Sequence, residues 1–300
     1  MKPSKLSGEA SARISLIASM LIFGTIGLLR RSIPLSSGMI AFVRGLIGTL
    51  FLLGILALKK QKIAWKSVKQ NGWILLLSGV FIGFNWILLF EAYNYTTVAT
   101  ATLCYYMSPV FVILASPIFL KERLTAKKLV CVTVSLAGML LVSGVFSEGG
   151  AGGDLRGIFF GLGAALLYAS VVLLNQKIEN LPAYDKTVVQ LASATAVMIP
   201  YLLFTEDFSA IVLTSDAVLL LLVAGVVHTG IAYTLYFGSM SRLNAQTVAI
   251  FGYIDPVAAI LLSAVVLKER MEPAAAVGAV LILVSAVISE LPKFGSGDKK

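Results

Sequence analysis

Long apolar stretches separated by short polar connections run through nearly the whole chain of 300 residues. A helix that crosses the hydrocarbon core of a bilayer needs roughly 20 mostly apolar residues. Ten segments meet this requirement, and we number them as spans 1 to 10: residues 13–32, 36–58, 72–92, 97–119, 126–146, 156–176, 184–204, 216–238, 245–267 and 273–290. None shows the alternation of a barrel strand, so the pattern predicts an all-α polytopic membrane protein with ten transmembrane helices.

Composition excludes several classes of protein. The chain is 58% hydrophobic and 13% charged, whereas a soluble domain carries about 25% charged residues. An ordinary soluble enzyme and a disordered chain are therefore excluded. The net charge of +9 could suit a nucleic-acid partner, but the spans leave almost no polar surface for one. Cys104 and Cys131 both lie in apolar runs, which argues against a disulfide scaffold.

The distribution of Lys and Arg among the connections predicts the orientation. With the N-terminus in the cytoplasm, eighteen basic residues lie at cytoplasmic ends and five lie outside, while Arg44 lies within a span. The opposite orientation would reverse these numbers, against the positive-inside rule. We therefore expect a multi-pass protein of the cell (inner or plasma) membrane with both termini in the cytoplasm. The net positive charge of the chain then reflects its membrane topology rather than a nucleic-acid partner.

An internal repeat relates the two halves of the chain. Residues Tyr106–Arg123 and Tyr253–Arg270, 147 positions apart, share ten of eighteen residues without a gap, including the closing Leu-Lys-Glu-Arg. Because each copy holds five spans, the second copy must enter the membrane from the opposite side. Such inverted repeats recur in secondary transporters. The predicted division is a first repeat, a glycine-rich linker, a second, inverted repeat and a cytoplasmic tail: 1–146, 147–155, 156–292 and 293–300.

Matching prolines, Pro109 and Pro256, lie in spans 4 and 9. A proline within a helix removes a hydrogen bond and kinks the helix, and matched interruptions in two halves are a pointer to a transporter site. The residues before the prolines differ, Ser108 in one half and Asp255 in the other. Asp255 is therefore either a cap for backbone groups that the proline frees or a functional carboxylate.

Ionisable residues within membrane spans are costly and are functional candidates. Arg44 could instead have a structural role, in which its guanidinium binds helix ends or extends along the membrane span to the polar surface. Glu91 could be a carboxylate at the membrane–water interface. His228 is the only histidine, and it could be a packing residue, a proton relay or a hydrogen-bond partner of a substrate. The candidate coupling or gating groups are Arg44, Glu91, His228 and Asp255.

Aromatic and polar side chains gather near the prolines and in the paired spans. The tyrosines could form interfacial belts, but Tyr106 and Tyr253 lie about ten residues inside their spans. The set suits a flat or amphipathic organic solute, such as an aromatic or apolar amino acid. The predicted substrate-binding residues are Phe23, Asn85, Trp86, Tyr105, Tyr106, Tyr168, His228, Tyr233, Tyr253 and Asp255.

The chain lacks HExxH, GxSxG, P-loop and metal-ligand spacings. We therefore expect no catalytic residue, no metal and no cofactor, and any pumping must draw on a gradient. Two alternatives to a carrier stay open. One is an intramembrane enzyme that uses His228 with Asp255, and the other is a channel with the same polar site.

The repeat, the Ser-Pro and Asp-Pro pairs and the Leu-Lys-Glu-Arg ends together resemble the drug/metabolite transporter superfamily, and within it the EamA family of ten-helix carriers. The resemblance covers roughly residues 13–290. It implies a carrier, often an exporter, with a central cavity lined mainly by helices 1, 3, 4, 6, 8 and 9. It also implies a small-molecule substrate and a lipid bilayer. The ionisable residues within the spans make protons a candidate coupling ion, and two fused halves in one chain make a monomer sufficient. Further matches are Leu21–Gly24, Pro34, Phe42–Arg44, Tyr168-Ala169 and Pro182.

Overall fold

The fold is all helical within the part of the chain that the computed structural model describes. That part comprises residues 5–26, 29, 33–95, 101, 104–142, 155–208, 214–258, 261 and 273–290. The linker at 147–154, the second Leu-Lys-Glu-Arg corner at 267–270 and the tail at 293–300 lie outside it.

The helices follow the predicted spans in order. They are α1 (Lys5–Gly24), α2 (Ser37–Leu58), α3 (Trp65–Gln70), α4 (Gly72–Tyr95), α5 (Ser108–Leu120), α6 (Ala126–Val142), α7 (Leu155–Asn175), α8 (Ala183–Thr205), α9 (Ser215–Gly225), α10 (Ala232–Ser239), α11 (Ala245–Phe251) and α12 (Pro273–Glu290). A π-helical segment, Val226–Ile231, joins α9 to α10.

Several of these segments are long and apolar enough to cross a membrane. Within the described residues there are five: Gly38–Leu58, Gly72–Ala92, Leu155–Asn175, Ala183–Thr205 and Ser215–Ser239. The chain is therefore a multi-pass helical membrane protein. Helix α1 begins at Lys5, eight positions before the predicted start at 13. Hydropathy marks only the apolar part of a helix, whereas backbone hydrogen bonding continues into the polar residues before it.

Side-chain caps set the start of three helices. Ser36, Thr214 and Asn244 precede α2, α9 and α11, and each accepts a hydrogen bond from the backbone N–H three residues later, at 3.1, 3.2 and 2.8 Å. Such caps satisfy backbone donors that a helix leaves free in its first turn. The α5 helix ends where Lys121 adopts a left-handed conformation with φ of 56°.

Small residues let α4 lie against α8. A Cβ atom on Gly79 would stand 2.6 Å from the carbonyl oxygen of Gln190, and one on Gly83 would stand 2.8 Å from that of Ala194. Both separations are too short for any residue with a side chain. The GxxxG spacing of Gly79 and Gly83 therefore marks a close contact between two backbones.

The main contacts between helices show the same pattern in the two halves of the chain: when two spans share such a contact, the two equivalent spans of the other half are in contact as well. Helix α4 packs on α7, which pairs spans 3 and 6, and α1 packs on α10, which pairs spans 1 and 8. In the same way α4 packs on α8, while α2 packs on α9 and the π-helical segment. Equivalent spans also meet directly, as α2 with α8, α5 with α11 and α6 with α12.

Spans 4 and 9 are each broken near the middle. Residues 106–107 form a turn, after which α5 begins with Pro109 in its first turn. Helix α11 ends at Phe251, residues 252–253 form a turn, and the chain is helical again at 254–258, which contains Pro256. The interruption is thus a break rather than the expected kink. Proline has no N–H and a fixed φ, so it fits a first turn better than a helix interior.

Span 8 contains a local change of helical pitch. The segment Val226–Ile231 is π-helical, and the Thr229 hydroxyl donates to the carbonyl of Ala224, five residues earlier, at 2.9 Å. His228 lies in this turn. Such single π-turns inside α-helices occur often at functional sites, and the hydrophobic pattern did not predict this one.

Candidate functional site

Aromatic side chains from α1, α4, α7, α10 and the two broken spans form one connected group, which we call the aromatic cluster. Neighbouring ring centroids lie between 5.0 and 6.4 Å apart, the range of favourable ring contacts. The members are Phe23, Trp86, Tyr105, Tyr106, Tyr168, Tyr233, Tyr236, Phe237 and Tyr253. The structure thus brings together every aromatic side chain that the sequence analysis proposed.

Two members, Tyr236 and Phe237, were not predicted. The hydroxyl of Tyr168 donates to that of Tyr236 at 2.7 Å, and the two rings stack with their centroids 6.2 Å apart. Phe237 is fully buried, 5.3 Å from the ring of Tyr233. Their spacing along span 8, three and four residues after Tyr233, was a usable signal because such residues share one side of a helix.

The two helix breaks are joined through their tyrosines. The hydroxyl of Tyr253 donates to the main-chain carbonyl of Tyr106 at 3.1 Å, and the hydroxyl of Tyr106 donates in turn to the carboxylate of Asp255. The rings of the two tyrosines lie 6.4 Å apart. Each break therefore satisfies a polar group of the other half of the chain, and Asp255 lies at the same junction.

Arg44 lies at another edge of the cluster. Its guanidinium carbon is 4.6 Å from the ring centroid of Trp86, and the group lies near His228 and Tyr233. Its Nε atom is buried without a hydrogen-bond partner among the described residues. A guanidinium beside an aromatic wall with a free donor can receive a carboxylate.

His228 is buried and links the π-helical segment to the end of α1. Its Nε2 atom lies 2.6 Å from the hydroxyl of Thr25, and its Nδ1 atom lies 3.4 Å from the carbonyl oxygen of Val223. Across the described ranges no hydrogen bond joins His228 to Asp255. The pair that an intramembrane enzyme would need is therefore not formed in this conformation.

Asn85 and Glu91 are held by neighbouring helices outside the aromatic cluster. The amide of Asn85 donates to the carbonyl of Ala164 on α7 at 2.7 Å, and the side chain is 2% exposed. The carboxylate of Glu91 accepts a hydrogen bond from Tyr201 on α8 at 2.6 Å. Both contacts bind α4 to its neighbours, so their geometry favours a role in helix packing.

Lys186 is a buried cation that sequence reasoning assigned to a cytoplasmic helix end. It lies in the first turns of α8 and is 2% exposed, with its Nζ atom 6.0 Å from the ring centroid of Phe237. The neighbouring carboxylate, Asp185, accepts a hydrogen bond from the backbone N–H of Ala64 at 2.9 Å. The missed signal was the position of Lys186 inside span 7, at 184–204.

Two cavities lie beside the aromatic cluster rather than within it. One of about 300 Å³ lies between α4, α5 and α7, with Phe81, Phe111, Phe119 and Lys177 in its lining. The other, of about 250 Å³, lies between α1 and α10. The rings of the cluster pack against each other in this conformation, and Tyr236, Phe237 and Tyr253 are almost fully buried. A solute can reach the middle of the cluster only when these rings separate.

Comparison with known proteins identifies the family. The model of the EamA-like transporter family matches residues 10–144 and again 155–290. An uncharacterized transporter, YxxF of Bacillus subtilis, is 30% identical over 296 residues, which cover 97% of this chain and 93% of its own. Protein RarD of Salmonella typhi is 30% identical over 222 residues, 71% of each chain.

A solved crystal structure of a protein shares the fold. It superimposes with a TM-score of 0.83 and covers 94% of this chain and 96% of its own, at 19% sequence identity. The sequence matches therefore carry the relationship, while this structure supports the fold alone. On these grounds the chain belongs to the EamA-like transporter family of the drug/metabolite transporter superfamily.

Proposed function

We propose that the chain is a secondary carrier that exports a small amphipathic organic solute, such as an amino acid, across the inner or plasma membrane. It does so with ten spans in two inverted halves that rock about a central site. Support comes from the family, from the family model matching twice along the chain, and from helix pairing that recurs on exchange of the halves. Inverted halves around a central site are the architecture of many secondary transporters.

The observation that carries the proposal is the aromatic cluster with opposite charges at two of its edges. Arg44 provides a guanidinium at the edge formed by Trp86, and Asp255 provides a carboxylate at the edge formed by Tyr106. An amino acid bears a carboxylate and an ammonium group, which match these two charges. Its side chain would lie among the rings, where an apolar or aromatic group is stabilised by burial and ring contacts.

Transport in this scheme requires the junction of the two breaks to open. Tyr106 and Tyr253 belong to equivalent positions of the two halves and hold them together across the centre. Rocking of one half against the other would separate the two rings and expose Asp255 to one face of the membrane at a time. Protons are the candidate coupling ion, with Asp255, His228 and Glu91 as the groups that could carry them.

The test is transport of a panel of labelled amino acids by protein reconstituted in proteoliposomes. We expect uptake of at least one apolar or aromatic member, reduced about tenfold in Asp255→Asn because the partner of the ammonium group is lost. Asp216→Asn is the matched control, since Asp216 is an exposed carboxylate in the first turn of α9. His228→Ala should also reduce uptake.

Other outcomes would contradict a carrier. Ion currents far above carrier turnover would favour a channel, and release of a chemically altered solute would favour the enzyme alternative. Equal transport by wild type and Asp255→Asn would remove Asp255 from the site while leaving the carrier in place.

A further inference from the structure

Lys186 is a charged group that the proposed transport site does not use. Its side chain is 2% exposed, although lysine is almost never fully buried unless it is paired. The aromatic face of Phe237, 6.0 Å from the ammonium nitrogen, provides a weak cation–π contact. A lysine buried to this extent calls for an anionic partner.

The residues that the structure describes do not supply that anion. Among the described residues, neither an ion pair nor a hydrogen bond engages the Lys186 ammonium. The adjacent carboxylate, Asp185, is engaged by the N–H of Ala64, and the nearby Lys59 lies over the ring of Tyr184 instead. The ammonium of Lys186 therefore has no acidic partner among the described residues.

A continuous row of rings connects Lys186 to Arg44. From the ammonium the row runs through Phe237, Tyr233 and Trp86, with ring centroids 5.3 and 6.3 Å apart. It ends at the guanidinium of Arg44, 4.6 Å from Trp86. Two cations without acidic partners in the described ranges thus stand at the two ends of one aromatic wall.

The two cations lie at different depths. Gly45, next to Arg44, packs against Thr195 of α8, because a Cβ atom at position 45 would stand 2.7 Å from the Thr195 hydroxyl. Thr195 is nine residues after Lys186 on the same helix. At a rise of 1.5 Å per residue this places Lys186 about 14 Å from the level of Arg44. The backbones of the two cations are therefore separated by more than two helical turns.

We propose that Lys186 is a second anion-binding group, which holds the carboxylate of the solute when the solute occupies the end of the pathway at the beginning of α8. The carboxylate is then exchanged between Lys186 and Arg44 as the solute moves along the row of rings. This inference rests on the proposed carrier function and identifies a carboxylate as the required chemical group of its substrate. A lysine suits such a passing contact because its ammonium is a point charge on a flexible chain.

Transport of two matched probes tests the proposal, namely labelled phenylalanine and phenylalaninamide, which lacks the carboxylate. In proteoliposomes Lys186→Met should reduce phenylalanine transport about tenfold and leave phenylalaninamide transport within about twofold of wild type. Lys186→Arg, which keeps the charge, should retain most phenylalanine transport. Lys59→Met is the control, because it removes a cation over a tyrosine ring outside the row. An equal reduction for both probes, or none for either, would overturn the proposal.

Equilibrium binding separates this inference from the carrier proposal. Calorimetric titration of purified protein with benzoate and with benzamide needs no transport. Wild type and Lys59→Met should prefer benzoate, and Lys186→Met should lose about tenfold of its benzoate affinity without a change for benzamide. If wild type transports no member of the amino-acid panel but this pattern is found, the anion site stands and the carrier proposal is wrong. If Lys186→Met binds benzoate as wild type does, the anion site is refuted whatever the transport result.

Discussion

Tyr253 is the residue through which one half of the chain stabilises the break in the other. It is fully buried, and its hydroxyl satisfies the carbonyl of Tyr106 within the first break. The repeat already predicted that both tyrosines lie near the middle of their spans. It could not predict that one hydroxyl reaches the main chain of the other, because that contact depends on how the halves pack.

Removal of the Tyr253 hydroxyl should destabilise the contact between the two helix breaks. Tyr253→Phe keeps the ring and leaves the Tyr106 carbonyl without its donor, so we expect a loss of about 1 kcal/mol in the free energy of unfolding. Thermal unfolding of the purified protein in detergent measures it. The control is Tyr184→Phe, because no described residue forms a hydrogen bond with the Tyr184 hydroxyl, while the Tyr184 ring contacts Lys59. Equal unfolding temperatures for the two variants would contradict the role of the Tyr253 hydroxyl.

Other residues mark where sequence reasoning reached its limit. The polarity of Asn85 within span 3 predicts a substrate contact, which stays a prediction, and in the structure its amide donates to the carbonyl of Ala164. Lys186 was counted with the cytoplasmic charges because it lies near the start of a span, yet it is buried. A polar residue in a span predicts that a partner exists, and the partner is decided by the neighbouring helix.

Among the helices, the end of α5 is tied to the beginning of α11. The carboxylate of Glu122, in the first Leu-Lys-Glu-Arg corner, accepts a hydrogen bond from the N–H of Ala245 at 2.9 Å. Lys128 donates to the capping residue Asn244 at 3.1 Å. A carboxylate at a helix N-terminus is favourable because it satisfies a free donor and faces the positive end of the helix dipole. The first Leu-Lys-Glu-Arg corner thus joins the two broken spans.

Helix α4 provides a sharp test of close packing. In Gly83→Ala the new methyl group would stand 2.8 Å from the carbonyl oxygen of Ala194, so α4 and α8 must move apart. We expect the free energy of unfolding to fall by about 1–3 kcal/mol.

The matched variant for this test is Gly54→Ala on α2, where a Cβ atom meets nothing within 4 Å. It should leave stability unchanged or raise it by up to about 1 kcal/mol, because alanine favours a helix more than glycine does. Both variants are compared by thermal unfolding. Similar behaviour of Gly83→Ala and Gly54→Ala would show that α4 and α8 do not pack as closely as the structure indicates.

For the molecule as a whole, the ends of the helices define two faces. The N–H of Ala64, beyond the end of α2, binds Asp185 at the start of α8. At the opposite end, Ser36 before α2 donates to Glu206 after α8 at 2.6 Å. The neighbouring helices α2 and α8 therefore run antiparallel. Which of the two faces is cytoplasmic rests on the distribution of Lys and Arg.

Labelling of single cysteines tests that orientation. Lys62→Cys and Ser241→Cys lie on the face expected in the cytoplasm, and Phe208→Cys lies on the other. In intact cells a membrane-impermeant maleimide should label only Phe208→Cys, and the other two should react after permeabilisation. The unmodified chain measures the background, because Cys104 and Cys131 are buried. The reverse pattern would invert the topology.

The membrane class, the approximate spans and the equivalence of the two broken regions follow from the sequence, because hydropathy and repeated motifs are properties of the chain itself. The aromatic members at positions 23, 86, 105, 106, 168, 233 and 253 were likewise predicted from their places within the spans. Helix packing determines the rest: the breaks that replace simple kinks, the π-helical turn at His228, and the burial of Lys186 beside Phe237. These features depend on which helices meet and at what depth. Hydrophobicity along one chain carries little information about either, since every span is apolar on nearly all sides.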